Sequence, residues 1–323
     1  MKRDHLKLIA DTACKSASCI SYSQLKRIMG FFDYEAFNEL NEYYFASKIT
    51  KDGLNWQAID GKELRGTIDK ALGQKRNENI VQQVSHQEKQ NKFIGFYDGS
   101  KESEKTLVFD YFKGLKNLKG SAYSFDALHT GSKLLDLIED KQGVYLAQVK
   151  RNQQILLEEV QHIEQYLKPH YSFNQEEKGH GRIERRQGFL YPLNPECLAK
   201  RWGKTGIKTL VLIERNRQRC KTGHISHEKA YFITNLKLDE KSAQGLVHAV
   251  RNHWAVESDN NTRDTNFGED QIIGFDSNTA RVMALSISWA LNLLRKKNDK
   301  NNIRELREDI AYNRDKLYDI LAV

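Results

Sequence analysis

Three carboxylates in this chain stand at spacings that chemistry can use. Asp60 ends the run Leu54-Asn55-Trp56-Gln57-Ala58-Ile59 and is followed by Gly61 and Lys62. Asp126 ends Ala122-Tyr123-Ser124-Phe125 and is followed by Ala127. Glu257 lies three residues after Trp254 and seven after Val250, within Arg251-Asn252-His253-Trp254-Ala255-Val256-Glu257. Mg²⁺ is a hard ion that takes oxygen ligands and keeps several waters, so one or two carboxylates per ion suffice. Two such ions roughly 4 Å apart activate an attacking oxygen and stabilise a leaving oxygen in an in-line phosphoryl displacement. Asp60, Asp126 and Glu257 are therefore read as one catalytic and metal-binding set, gathered around Mg²⁺ ions for which Mn²⁺ can substitute. Singly, each acid has a plainer reading. An aspartate at a strand end is ordinarily a turn residue, and a glutamate on an Arg- and His-rich helix is ordinarily solvated.

Such a set needs rigid carriers. Leu54, Trp56 and Ala58 alternate with Asn55 and Gln57, which predicts a strand that ends at Asp60, with Gly61 breaking it. Further strands are expected at 81–86, 93–97, 122–125 and 144–149, with helices at 106–115 and 132–140. The last of these strands is short and apolar enough for a sheet interior. Leu246, Val250 and Trp254 form an apolar ridge at steps of four, so one helix should start near Asp239 and carry Glu257. A final helix over 277–297 has Val282, Leu285, Ile287, Trp289 and Leu293 as core candidates. The expected fold class is α/β, a mixed sheet flanked by helices. Its domain plan is a helical region at 1–50, a core at 51–150 and 239–297, a β-rich insertion at 151–238, and a charged helical tail at 298–323.

The composition is globular: 323 residues, 39% hydrophobic and 10% aromatic, with only three prolines. A formal net charge of +8 favours a polyanionic partner. The N-terminal residues carry no apolar run of the secretory kind. The longest apolar stretch, 282–294, is interrupted by Ser286, Ser288 and Asn292, and is too short to cross a bilayer. A cytoplasmic, reduced protein without a membrane segment is expected. Cys14, Cys19, Cys197 and Cys220 lack CxxC spacing, and the ten histidines show no zinc pattern, so no zinc site is proposed.

With those words in view, the chain resembles the DDE transposases of bacterial insertion sequences, of the H-repeat-associated kind. The matching pieces are Ala58-Ile59-Asp60-Gly61-Lys62-Glu63-Leu64-Arg65-Gly66 and Ser124-Phe125-Asp126-Ala127-Leu128-His129-Thr130. Further on come Val149-Lys150-Arg151-Asn152-Gln153, Gly179-His180-Gly181-Arg182-Ile183-Glu184, the run from Val250 to Glu257, and Asn266-Phe267-Gly268-Glu269-Asp270. They fall in order over most of the chain. The resemblance implies an RNase H-like core with a β-rich insertion before the last acidic helix, and metal-dependent DNA cleavage and strand transfer. It makes Asp60 the first acid, Asp126 the second and Glu257 the third. Lys62, Arg65, Lys150, Arg151 and Arg251 are expected to face DNA phosphates, contacts that position a duplex without reading its sequence. The implied partners are double-stranded DNA, as terminal inverted repeats and target, and a second copy of the chain on that DNA. A bacterial cytoplasmic protein, at the nucleoid when bound, follows.

Three auxiliary residues remain open on the sequence. His253 could orient Glu257 or simply pack. Trp254 could stack on an extruded base, although a core role fits it better. Asp264, seven residues after Glu257, could hold a ligand or water, or form an ion pair. The chain also departs from the family pattern. The family's Ile-Glu-Asn, Leu-His-Trp-like and Leu-Asp-Val words read here as Val256-Glu257-Ser258, Asn260-Asn261-Thr262 and Arg263-Asp264-Thr265. Lys101-Glu102-Ser103-Glu104-Lys105 only loosely echoes another family segment, and the leading helical region reads as shortened. Two alternatives therefore stand beside the transposase: a decayed copy that only binds DNA, and a metal-dependent nuclease that cuts without joining.

Overall fold

A computed structural model of the chain describes residues 21–45, 53–67, 78–97, 99–179, 181–272, 276–297 and 302–321. The expectations for residues 1–20, Cys14 and Cys19 among them, lie outside the described residues. The described strands are β1 (Asn55–Leu64), β2 (Glu78–Ser85), β3 (Asn91–Tyr97), β4 (Ser121–Phe125), β5 (Val144–Val149), β6 (Tyr171–Gly179), β7 (Arg182–Pro192), β8 (Thr209–Arg219) and β9 (Ile225–Thr234). They form one mixed sheet in the order β3-β2-β1-β4-β5-β9-β8-β7-β6. The first five pair as an antiparallel β3-β2-β1 meander continued by parallel β4 and β5. That arrangement is consistent with an RNase H-like domain. Parallel neighbours need crossover connections, and helices α3 (Lys101–Gly114) and α4 (Ser132–Asp140) supply them. The earlier helices are α1 (Tyr22–Phe31) and α2 (Tyr34–Tyr44).

Side-chain alternation sorts β1 into two faces. Ile59 joins Val81, Val108, Phe112, Phe125, Leu135 and Ile138 in the core under α3 and α4. Ala58, on the opposite face, packs with Val84 and with Ala255 and Val256. Those two belong to α7 (Ala255–Phe267), which follows α6 (Glu240–Asn252). Asp60 shares the Ala58 face, so the sheet directs it toward the helix that carries Glu257. Between them α6 and α7 cover this face: Leu246 and Val250 pack on Trp56, Ala122, Leu146 and Phe232. Each fully buried side chain of this size contributes roughly 1.5–3 kcal/mol. Helix α5 (Gln154–Tyr166) buries Leu156 and Val160 in the other core. Helix α8 (Ser277–Lys297) lies against β3 and α2, where the Trp289 and Phe37 rings stack at 5.5 Å. The C-terminal helices are α9 (Ile303–Tyr312) and α10 (Arg314–Leu321). No helix among the described residues is long and apolar enough to cross a membrane.

Several expected elements shift. Strand β1 does not end at Asp60 but runs on to Leu64, because β2 pairs with it from Gln57 through Leu64. Helix α3 begins at Lys101, capped by the Ser100 hydroxyl, so the charged segment 101–105 is its first turn. The helix expected to run unbroken into Glu257 is two helices. The first starts near Asp239 as expected, with Asp239 as its cap, but the ladder tightens to i−3 bonds at Trp254 and Val256, which divides α6 from α7.

Candidate active site

The β1–β4 register pairs Ile59 with Phe125. The next residues on these parallel strands, Asp60 and Asp126, therefore lie side by side, where strands are about 4.8 Å apart. Asp126 leaves β4 into a tight turn: its Oδ1 accepts the Leu128 N–H at 2.9 Å and the His129 N–H at 3.4 Å. It is both the turn residue and the cleft residue. The Asp60 carboxyl is pushed up to about 7, first by burial and then by the charges of Asp126 and Glu104; His129 and the Gly61 N–H oppose the rise. Glu257 is exposed on α7. Burial raises its carboxyl, while Lys150 and Arg215 pull it back.

All three acids line one cleft of about 670 Å³. Gln148, Lys150, Arg251, His253 and Trp254 share it, with Arg182, Arg186, Arg215 and Arg217 from β7 and β8. Its bottom is acidic and its walls are cationic. Among the described residues no three His, Cys, Asp or Glu side chains converge as a metal-ligand group. Asp60 and Asp126 form the interacting pair, and the charges that act on Glu257 are Lys150 and Arg215. Two hard oxygen donors whose mutual repulsion raises one pKa are a suitable donor set for a hard divalent cation.

Residues 99–293 match the family described as Transposase DDE domain. The chain belongs to that family. The matched segment contains Asp126 and Glu257 and begins after Asp60. The chain is 28% identical over 275 residues to a protein of Escherichia coli O157:H7 that bears the name "Putative transposase YncI", covering 82% of this chain and 68% of that one. It is 27% identical over 326 residues to YbfL of Escherichia coli K12, covering 97% and 80%.

Within this DDE chain the other expected site residues have divided fates. Lys150 and Arg251 line the cleft, Arg251 with an ion pair to Glu177 at 2.6 Å. Arg65 is exposed, 3.7 Å from Asp270, and Arg151 is exposed at the turn before α5; neither lines the cleft. Lys62 departs from expectation. It is only 7% exposed, and its ammonium is held by Asp264 and, at 2.8 Å, by Glu269. A lysine committed to two carboxylates inside the protein is not presented to a phosphate. The same contact makes Asp264 an ion-pair residue. Trp254 is not a core residue: it is 47% exposed in the cleft, with the Arg215 guanidinium 5.8 Å from its ring centre. His253 has a positioned ring, its Nδ1 2.9 Å from Ser124 Oγ, which is also 2.9 Å from His86 Nε2. Burial lowers His253 to about 4 and His86 to about 3, so both rings are neutral at pH 7.

Sequence reasoning missed the arginines of β7 and β8. Their signal was the alternation Arg182-x-Glu184-x-Arg186 and Arg215-x-Arg217-x-Arg219, one strand face each. Glu184, which is buried, holds Arg186 at 2.6 Å, Arg217 at 3.2 Å and Arg182 at 3.4 Å. Sequence reasoning also gave no role to Glu104, which lies in the loosely echoed segment 101–105 and is buried.

Proposed function

We propose that this chain is a DNA transposase of the H-repeat-associated kind. In this reading it cuts and rejoins DNA at the ends of an insertion sequence, using Asp60, Asp126 and Glu257 with Mg²⁺ or Mn²⁺. The observation that carries the reading is the cleft, with two aspartates side by side on adjacent parallel strands, a glutamate from the packed helix, and cationic walls. A polyanion enters such a cleft with its backbone against the arginines and a phosphodiester against the acids. Ligands of open α/β sheets commonly sit outside the carboxyl ends of the strands; Asp126 lies at that end of β4, and Asp60 lies beside it on β1.

Asp60 and Asp126 would hold the divalent ion, with Glu257 of the same cleft as a further oxygen donor. When bound, the ion polarises a phosphoryl oxygen and makes the attacking oxygen a better nucleophile. The chain's own groups do the rest. The Leu128 and His129 N–H groups keep Asp126 oriented. Lys150 and Arg215 favour the ionised form of Glu257. Lys150, Arg251 and the arginines of β7 and β8 would bind phosphates and exclude water around the scissile bond. We read β6 to β9 as the insertion before the acidic helix, carrying half of the DNA-binding wall. Water attacks first and a DNA 3′-hydroxyl later, with no covalent protein–DNA intermediate. The partners are the terminal repeats and target DNA, with a second copy bridging two ends, in the bacterial cytoplasm at the nucleoid.

The test is excision and joining of a marker bracketed by the gene's own flanking ends on a plasmid, in Mg²⁺. Wild type is expected to excise and join. Asp60→Asn, Asp126→Asn and Glu257→Gln should each lower the rate about a thousandfold, which corresponds to about 4 kcal/mol of transition-state stabilisation. Cleavage without joined products would make the chain a nuclease. Binding of the ends with no cleavage would make it a decayed copy. Cleavage that survives Asp60→Asn would remove the acid assignment.

A further inference from the structure

Behind Asp60, on the opposite face of β1, lies a carboxylate that the acid set does not include. Glu104 sits in the first turn of α3 and is 7% exposed. An acid in a helix's first turn ordinarily faces water and the positive end of the helix. This one faces inward. Its Oε2 accepts the Tyr97 hydroxyl at 2.9 Å, and its Oε1 is 3.0 Å from His129 Nε2. The contact sets His129 Nε2 against the carboxylate. His129 Nδ1 is buried and has no hydrogen-bond partner among the described residues.

Two further contacts connect this group to the aspartates. A Cβ placed on Gly61 would lie 2.6 Å from Glu104 Cδ and Oε1 and 2.8 Å from the Tyr97 hydroxyl oxygen. The carboxylate therefore rests directly on the backbone of Gly61, the residue that follows Asp60 on β1. On the other side, the His129 N–H points at Asp126 Oδ1 from the turn that holds that aspartate. Tyr97 from β3, Glu104 from α3 and His129 from the β4–α4 turn thus form one continuous chain. It braces the backbone beside Asp60 and the turn beside Asp126.

We infer that Glu104 and His129 are positioning residues that fix the separation of Asp60 and Asp126, so that metal affinity depends on side chains that never touch the metal. The inference rests on the metal-binding reading of the two aspartates. It also gives Gly61 a reason: the strand must approach the carboxylate more closely than any side chain allows.

The experiment is a titration of the full-length, DNA-free chain with Mn²⁺, following free aqueous Mn²⁺ by electron paramagnetic resonance. Loss of an outer-shell partner typically costs about 10- to 100-fold in metal affinity. Glu104→Gln and His129→Ala should each weaken Mn²⁺ binding by about that factor, with the far-ultraviolet circular dichroism of wild type. His129→Gln restores a donor near Nε2 and should recover most of the loss. Gly61→Ala, which alters no ligand, should weaken binding as well. Asp60→Asn is the control for the metal reading. If it abolishes binding while Glu104→Gln and His129→Ala stay within twofold of wild type, the positioning inference is wrong and the metal site stands. If Asp60→Asn itself binds like wild type, the metal reading falls and takes the inference with it. Should Glu104→Gln fail to fold, Tyr97→Phe and His129→Ala decide: wild-type affinity in both overturns the inference.

Discussion

Lys62 and Asp60 lie two residues apart on one face of β1, yet they serve different ends. The ammonium of Lys62 is closed in by Asp264 and Glu269, and Glu269 in turn holds the fully buried Arg263. Arg263 Nη1 also donates to Gln82 Oε1 at 2.7 Å. The cluster ties β1 and β2 to α7 and so fixes the helix that carries Glu257. Removing one member of a buried ion pair strands its partners and costs about 3–5 kcal/mol. Lys62→Met is expected to lower the urea unfolding free energy by about 3 kcal/mol. If it leaves stability unchanged and weakens DNA binding instead, Lys62 is a phosphate contact after all. Nothing near Lys62 in the sequence announces its partners, which stand some two hundred positions away; a lysine beside an acid reads as a phosphate ligand until they are seen. Asp60 and Asp126 were legible for the opposite reason, because a strand-like run leads up to each; β4 does end before Asp126, whereas β1 runs on past Asp60 to Leu64.

At the scale of elements, Ser124 joins three of them. Its hydroxyl lies between His86, just after β2, and His253, at the junction of α6 and α7. A hydroxyl has one donor and two acceptor sites, so Ser124 can meet both rings and the Gln57 carbonyl, 3.4 Å away. The neutrality of the two rings has a pH cost. Unfolded, both rings take up a proton near 6.5; folded, His86 waits until about 3 and His253 until about 4. The unfolded state therefore binds more protons below pH 6.5, and stability is lost as pH falls from 6.5 toward those values. Asp60 opposes this, since its folded carboxyl, raised to about 7, takes up a proton before its unfolded counterpart does. Two histidines outweigh one aspartate, leaving a net loss of about 1.4 kcal/mol per pH unit between roughly pH 6 and 5. His86→Gln should flatten that slope by about the same amount in urea titrations across the window; an unchanged slope would mean that His86 titrates normally. The junction itself could not be read from the chain. The apolar ridge Leu246, Val250, Trp254 continues at helical spacing straight through it, and the break shows only in the folded chain, in the i−3 bonds at Trp254 and Val256 and the contact between His253 and Ser124. Strand β6 was lost differently: after Tyr171 and Phe173 it is polar at nearly every position, so it carries no apolar alternation, and pairing with β7 makes it a strand.

For the whole molecule, the distribution of charge matters more than the net +8. The sheet continues past β5 without a break, and β9, β8, β7 and β6 extend it so that the arginines of β7 and β8 face the same cleft as Asp60 and Asp126. Glu184 keeps Arg182, Arg186 and Arg217 extended rather than scattered, and Glu228 does the same for Arg215 at 3.3 Å. These carboxylates do not cancel the wall, because Arg182, Arg186, Arg215, Arg217 and Arg251 share only Glu177, Glu184 and Glu228, which leaves a cationic surplus to meet phosphates. Each phosphate contact adds about 0.9 to the slope of log affinity against log salt on duplex DNA. Arg186→Ala and Arg217→Ala, measured by fluorescence anisotropy on a duplex between 50 and 200 mM salt (a working range for such slopes), should each lower that slope by about one. Arg151→Ala, which lies outside the cleft, should leave it alone. If Arg151→Ala lowers the slope and the two cleft variants do not, DNA follows another face of the molecule, and the β6–β9 extension serves the fold and not the substrate.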